Sequence, residues 1–161
     1  MTRKSCLFAD AFQLAYVSRD IESGVATLTR DYLVTGFRIH DVTVRCAQSP
    51  GTCTLRVAVA WRAERQIELI QPVAGSTAIY ERFLPAHPGA VAFHHLGIRV
   101  TGTLDEWSRA RSSWLACGAH IAFEGGLDDT LRFAYLDTAG TLGHYIEYLW
   151  LAKPFLSPER P

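Results

Sequence analysis

The chain has 161 residues, 48% of them hydrophobic, and its 16 Lys and Arg balance 16 Asp and Glu to a net charge of zero. That length fits one domain, residues 1–161, with a real core. The charge balance excludes a nucleic-acid binder held by surplus Lys and Arg and a chain too polar and charged to fold.

The apolar runs are too short for a membrane-spanning helix. The basic start at Met1–Lys4 is followed by no apolar stretch long enough for a signal peptide. A cytoplasmic protein is therefore expected, with no nucleic-acid and no membrane partner. Cys6, Cys46, Cys53 and Cys117 form no CxxC and no zinc-finger spacing with histidine, so reduced thiols are expected. A Cys46–Cys53 disulfide stays open, though nothing demands it.

Ala11–Val17 reads as a strand. Arg19–Leu33 follows as a helix, with Ile21, Val25, Leu28 and Tyr32 on one face and Ser18 placed to cap it. Phe37–Arg45 and Cys53–Trp61 read as strands about a turn at Gln48–Gly51. Gln66–Ile70 is a strand ended by Pro72, and a short helix runs from Thr77 to Leu84. The order then begins again. Ala92–Val100 is a strand. Thr103 and Glu106 form a capping box that opens a helix carrying Leu104, Trp107, Trp114 and Cys117, closed by Gly118. Ala119–Glu124, with His120 inside it, ends at Gly125-Gly126, and Leu131–Asp137 and His144–Leu151 complete the chain. Each half reads strand, helix, strand, strand, strand, which is an internal repeat.

Four polar residues interrupt apolar strands: Gln13, Glu68, His95 and Glu147. Gln13 and His95 lie on the opening strand of their half, 82 positions apart, and Glu68 and Glu147 on the closing strand, 79 apart. A carboxylate facing an apolar interior is costly unless paired, hydrogen-bonded or metal-bound. Matched places in two halves point all four side chains at one cavity. An imidazole, an amide oxygen and two carboxylates suit zinc first, with nickel, cobalt, manganese or iron as alternatives. His94 and His95 are neighbours on a strand, so alternation sends them to opposite faces, and the register with Gln13 selects His95. Alternation also puts Arg99 on the face of His95, where it can hold a substrate anion, and Tyr145 on the face of Glu147. Tyr80 and Phe83 of the short helix are placed to cover the site. Trp61, Trp107, Trp114 and Trp150 read as core or interface residues.

Phe12-Gln-Leu-Ala-Tyr-Val17, Gln66-Ile-Glu-Leu-Ile-Gln-Pro72, Phe93-His-His-Leu-Gly-Ile98, Phe133-Ala-Tyr-Leu-Asp-Thr138 and Leu142-Gly-His-Tyr-Ile-Glu147 resemble the vicinal oxygen chelate superfamily. That superfamily includes glyoxalase I, methylmalonyl-CoA epimerase, extradiol dioxygenases and bleomycin-resistance proteins; the glyoxalase-like branch near the epimerases is the most similar. The resemblance implies an α+β fold of two tandem βαβββ modules, about 8–72 and 92–153, whose cupped mixed sheets enclose a central metal site. It puts the metal ligands at Gln13, Glu68, His95 and Glu147. It implies an isomerase or lyase acting on a small molecule with two neighbouring oxygens. The metal stabilises an enolate, and Glu147, or Glu68 on the opposite face, moves the proton. It also implies a homodimer, which open sheet edges would favour as well.

Two other readings stand beside this one. A metal-free small-molecule binder of the resistance type would lack the ligand residues that this chain keeps. An extradiol dioxygenase would carry two histidines at the four places, where this chain has one. The strand Cys53–Trp61 also holds no carboxylate, where the epimerases carry an additional glutamate.

Overall fold

The computed structural model describes residues 11–47 and 51–153. In chain order its elements are β1 (Ala11–Val17), α1 (Ile21–Tyr32), β2 (Arg38–Cys46), β3 (Thr52–Arg62), β4 (Arg65–Gly75), α2 (Ala78–Glu81), β5 (Ala92–Val100), α3 (Leu104–Ala116), β6 (Ile121–Leu127), β7 (Leu131–Leu136), α4 (Ala139–Leu142) and β8 (Tyr145–Leu151). The eight strands close into one barrel in the order β1-β4-β3-β2-β6-β7-β8-β5. This is the mixed α+β architecture of two βαβββ modules. Within each module the first and last strands run parallel (β1 with β4, β5 with β8), and the other neighbours are antiparallel.

Two seams join the modules. The long one pairs β1 along its whole length with Ala92–Ile98 of β5. The short one consists of Arg45 opposite Gly126 and Cys46 opposite Gly125. The glycines that read as a break therefore lie inside β6, and they are what lets this seam close. A Cβ on Gly125 would sit 2.8 Å from the Phe133 ring and 3.0 Å from the Arg45 carbonyl oxygen, and one on Gly126 would sit 2.6 Å from the Leu131 carbonyl oxygen.

Apolar side chains of both modules fill the barrel, among them Val17, Leu55, Ile70, Tyr80, Phe123, Phe133, Tyr135 and Leu149. Outside, α1 packs Ile21 and Leu28 on Ala58 and Leu69. On the other module α3 packs Trp107 against Ala134 and Trp150, with Trp114 stacked on Tyr148 at 4.0 Å.

Several boundaries differ from the sequence reading, each for a physical reason. Asp20, not Ser18, caps α1: its Oδ1 accepts from the Ser23 N–H at 2.7 Å. The Ser18 hydroxyl is engaged elsewhere, lying 2.9 Å from the Pro88 and 3.1 Å from the Ala90 carbonyl oxygens. Strand β4 runs through Pro72 to Gly75. Its pairing with β1 stops at Ile70, and Val73 is skipped in the register with β3, so the proline stands at a bulge where its missing N–H is tolerated. His120 precedes β6 instead of lying within it. Of the proposed turn at Gln48–Gly51, residues 48–50 lie outside the described residues, as does Cys6, and Cys46, Cys53 and Cys117 are free thiols. No helix among the described residues is long and apolar enough to cross a membrane.

Of the sheet edges, those of β1 and β5 are covered within the chain, whereas β2 and β6 pair only at Arg45–Cys46 and Gly125–Gly126.

Candidate functional site

Four adjacent strands, β4, β1, β5 and β8, carry the site. Across them Gln66, Gln13, Gly97 and Glu147 stand in one row, and Glu68, Ala15, His95 and Tyr145 in the next. These rows bring together Gln13, Glu68, His95 and Glu147, all from one chain. His95 Nε2 lies 3.3 Å from Gln13 Oε1, 3.3 Å from Glu147 Oε2 and 3.6 Å from Glu68 Oε2. His95 is fully buried, and the Glu147 and Glu68 side chains are 7% and 15% exposed. Gly97 makes the room: a Cβ there would lie 2.4 Å from Gln13 Oε1.

Burial dominates the electrostatics. Desolvation pushes Glu147 up to about 8, against a hydrogen bond with Tyr135 that favours the carboxylate. Desolvation and the Glu147 charge push Glu68 well above the usual carboxylate range. Desolvation also lowers His95 to about 3. The imidazole is therefore neutral, and its contacts with the two glutamates are not salt bridges. Both carboxyl groups lie against this neutral ring, and among the described residues no Lys or Arg is ion-paired with either. Among the described residues, no three His, Cys, Asp or Glu side chains close into a cation cage on their own; the amide oxygen of Gln13 is the additional acceptor at this point.

Two residues of the site escaped the sequence reading. Gln66 holds the Gln13 amide: Gln13 Nε2 donates to Gln66 Oε1 at 2.8 Å. The Gln66 Nε2 is buried without an acceptor among the described residues. Its place two residues before Glu68, on the same strand face, was the available signal. The other is His94, which alternation sent to the opposite face. In the register of β5 with β1, Ala15 pairs with His95 and Tyr16 with Phe93, so His94 is skipped. It is the extra residue of a β-bulge. The bulge turns its ring back inside, and the two Nδ1 atoms lie 2.8 Å apart.

The secondary candidates separate. Tyr145 is buried in the aromatic cluster, where its hydroxyl accepts from Arg82 Nη1 at 2.7 Å and its ring lies 5.3 Å from that of His94. Tyr80 stacks on His94 at 5.0 Å, and Phe83 meets it edge-on at 5.3 Å, so α2 and the residues after it close this side of the site. The Tyr80 hydroxyl lies 3.2 Å from that of Tyr135, which in turn hydrogen-bonds Glu147. Arg99 lays its guanidinium over the Phe12 ring, 4.5 Å from the centroid, and its buried Nε has no acceptor among the described residues. Trp107 and Trp150 are core residues.

Known structures share this barrel. The chain has the fold of the vicinal oxygen chelate superfamily. Among similar structures are a hypothetical protein, BH1468 of Bacillus halodurans C-125, and the methylmalonyl-CoA epimerase of Mycobacterium tuberculosis. The first aligns over 89% of this chain and 95% of its own with a TM-score of 0.58 at 14% identity. The second aligns over 92% of each chain with the same score and identity. A methylmalonyl-CoA epimerase in complex with methylmalonyl-CoA and ammonium covers 89% of this chain and 94% of its own, with a TM-score of 0.56 at 11% identity. No protein-family model and no curated protein matches the chain.

Proposed function

We propose that the chain is a metal-dependent isomerase or lyase of the glyoxalase and epimerase type. The observation that carries the reading is the convergence of Gln13 Oε1, Glu68 Oε2 and Glu147 Oε2 on His95 Nε2, at 3.3–3.6 Å. Two ligand atoms on one tetrahedral ion at ~2.1 Å stand roughly 3.4 Å apart, so the spacing fits a shared divalent ion. The charge fits as well: a dication would relieve two buried carboxylates that otherwise hold protons. Gln13, Glu68, His95 and Glu147 would hold it, and zinc suits a mixed set of nitrogen and oxygen donors. When bound, it supplies Lewis acidity toward two neighbouring substrate oxygens and stabilises enolate charge.

The remaining work falls to this chain's own residues. Glu147 takes the proton from the carbon next to the substrate carbonyl and returns it. Burial raises the Glu147 carboxyl, a dication beside it would favour the ionised form that a base needs, and the Tyr135 hydroxyl steadies the carboxylate. Glu68 is the alternative base. Gln66 Nε2, beside Gln13, is a buried donor with no acceptor among the described residues, which supports a small molecule that brings an oxygen acceptor to the site. A homodimer belongs to this reading because two-fold pairs are the commonest assemblies.

Metal analysis of protein purified without chelator tests the reading, followed by solvent deuterium incorporation into hemithioacetals, acyl-CoA thioesters and hydroxyketones. One divalent ion per chain and deuterium at the carbon next to the carbonyl are expected. Absence of any bound ion would favour a metal-free binder, and oxygen consumption would favour a dioxygenase.

A further inference from the structure

Gln66 is the second residue of β4 and only 1% exposed. It stands at one end of the row that runs through Gln13 and Gly97 to Glu147. Its carboxamide has two unlike ends. The oxygen accepts from Gln13 Nε2 at 2.8 Å. The nitrogen carries two hydrogens and has no acceptor among the described residues. Turning the Gln66 amide over would set its nitrogen against the Gln13 nitrogen, donor against donor. Turning Gln13 over as well would take away the oxygen that Gln13 holds 3.3 Å from His95 Nε2. The contact with Gln13 therefore fixes the direction of the Gln66 amide. Among the described residues two buried side-chain atoms lack a partner, and this is the one whose own amide is hydrogen-bonded to a residue of the site. A buried N–H left unpaired costs the desolvation of that group, and an arriving oxygen offsets the cost.

We infer that Gln66 recognises the substrate directly: its Nε2 donates to a carbonyl or carboxylate oxygen of the small molecule held in this site. The residue serves twice, its oxygen holding the Gln13 amide and its nitrogen holding the ligand. A neutral N–H pair selects an oxygen acceptor and offers nothing to an amine or a hydrocarbon. The row also gives the ligand a direction. Its oxygen lies toward Gln66 on β4, and its exchangeable carbon lies toward Glu147 on β8. A donor at that oxygen gains strength as enolate charge develops on it. This orientation rests on the proposed function; the free donor does not.

Acetohydroxamate, which has two neighbouring oxygens on a small frame, is the probe. In the full-length, metal-free protein, coupling across the hydrogen bond should run from Gln13 Nε2 to the Gln66 carboxamide carbon. Acetohydroxamate added with zinc should then move the Gln66 Nε2–H signals. Gln66→Met loses both donor and acceptor, whereas Gln66→Glu keeps an acceptor for Gln13. Loaded with zinc, both variants should bind acetohydroxamate roughly tenfold more weakly, while affinity for zinc itself should fall only in Gln66→Met. Coupling in the reverse direction overturns the inference. So do Gln66 signals that the probe leaves unmoved, which would mean a buried water only. A loss of probe affinity confined to Gln66→Glu would be repulsion by the added charge and overturns it too. If neither variant folds, the wild-type spectra decide. If the chain binds no zinc, the metal reading falls and acetohydroxamate titration of the metal-free protein decides: moving Gln66 signals keep the role of Gln66, and unmoved ones remove it.

Discussion

Gly97 shows how little space the site leaves between its residues. Because a Cβ there would meet Gln13 Oε1 at 2.4 Å and Gln13 Cβ at 2.8 Å, Gly97→Ala should push the amide away from His95. Overpacking of this kind costs about 1–3 kcal/mol, measurable by urea unfolding, and zinc affinity should fall with it. The carboxylates predict a pH effect with a definite sign. Glu147 rises from 4.5 to about 8 on folding, and Glu68 rises with it. The folded, metal-free protein therefore keeps protons that the unfolded chain has released, and this stabilisation is complete below the unfolded value and declines as pH rises through about 8. His95 has the opposite sense, its pKa falling from 6.5 to about 3, so it weakens the fold only as pH drops below 6.5. Urea midpoints compared at about pH 6.5 and 8.5 should thus fall for the wild type and change less for Glu147→Gln. A wild-type midpoint that rises across that range contradicts the assignment. Glu147→Gln should also lose substrate deuterium exchange by ~10²–10⁴-fold while keeping more ion than His95→Ala, because an amide oxygen can ligate but cannot take the proton. The polar interruptions at Gln13, Glu68, His95 and Glu147 were visible in the sequence because each interrupts an apolar strand at a matched place in its half. Gln66 was not, since a glutamine at a strand start looks like any surface residue until its partner is in place.

Among the elements, α3 was the most legible. Its start is written in four consecutive residues: Thr103 Oγ1 accepts from the Glu106 N–H, and the Glu106 carboxylate accepts from the Thr103 N–H at 2.6 Å. Thr103→Ala should cost about 1 kcal/mol, read from a thermal or urea melt; no change would show that packing of Trp107 alone sets the helix start. Strand β5 was read with the bounds it has, Ala92–Val100, yet the directions of its side chains were not. Alternation holds only while two strands stay in step, and a bulge belongs to the pairing, not to either sequence. The same applies to Pro72 and to Gly125-Gly126, which read locally as stops and globally as a bulge and a seam. Cap choice at α1 failed for a smaller reason. Ser18 and Asp20 are both good caps, and only the carbonyls of Pro88 and Ala90, far along the chain, claim the serine.

At the scale of the whole molecule, β1 and β5 bind the modules along a full seam, and the four site residues come two from each. Unfolding should therefore be one transition, with far-ultraviolet circular dichroism and tryptophan fluorescence coincident. Two separated transitions would mean that each module stands alone. Sedimentation addresses assembly: a dimer at micromolar concentration is expected, and a monomer would remove the homodimer from the reading.

The seam between β1 and β5 also records a limit on symmetry. It skips one residue on each strand, Phe12 on β1 and His94 on β5, and each stands immediately before its strand's contribution to the site, Gln13 or His95. The two backbones repeat, but the supports behind the two donors do not: an amide braces Gln13 and an imidazole braces His95. Exchanging the donors, Gln13→His together with His95→Gln, would keep the composition of the site. It would leave the transplanted imidazole beside the Gln66 amide and the transplanted amide beside the His94 ring, each against the brace of the other donor. Interchangeable in backbone, the halves have become chemically distinct, each fitted to one donor.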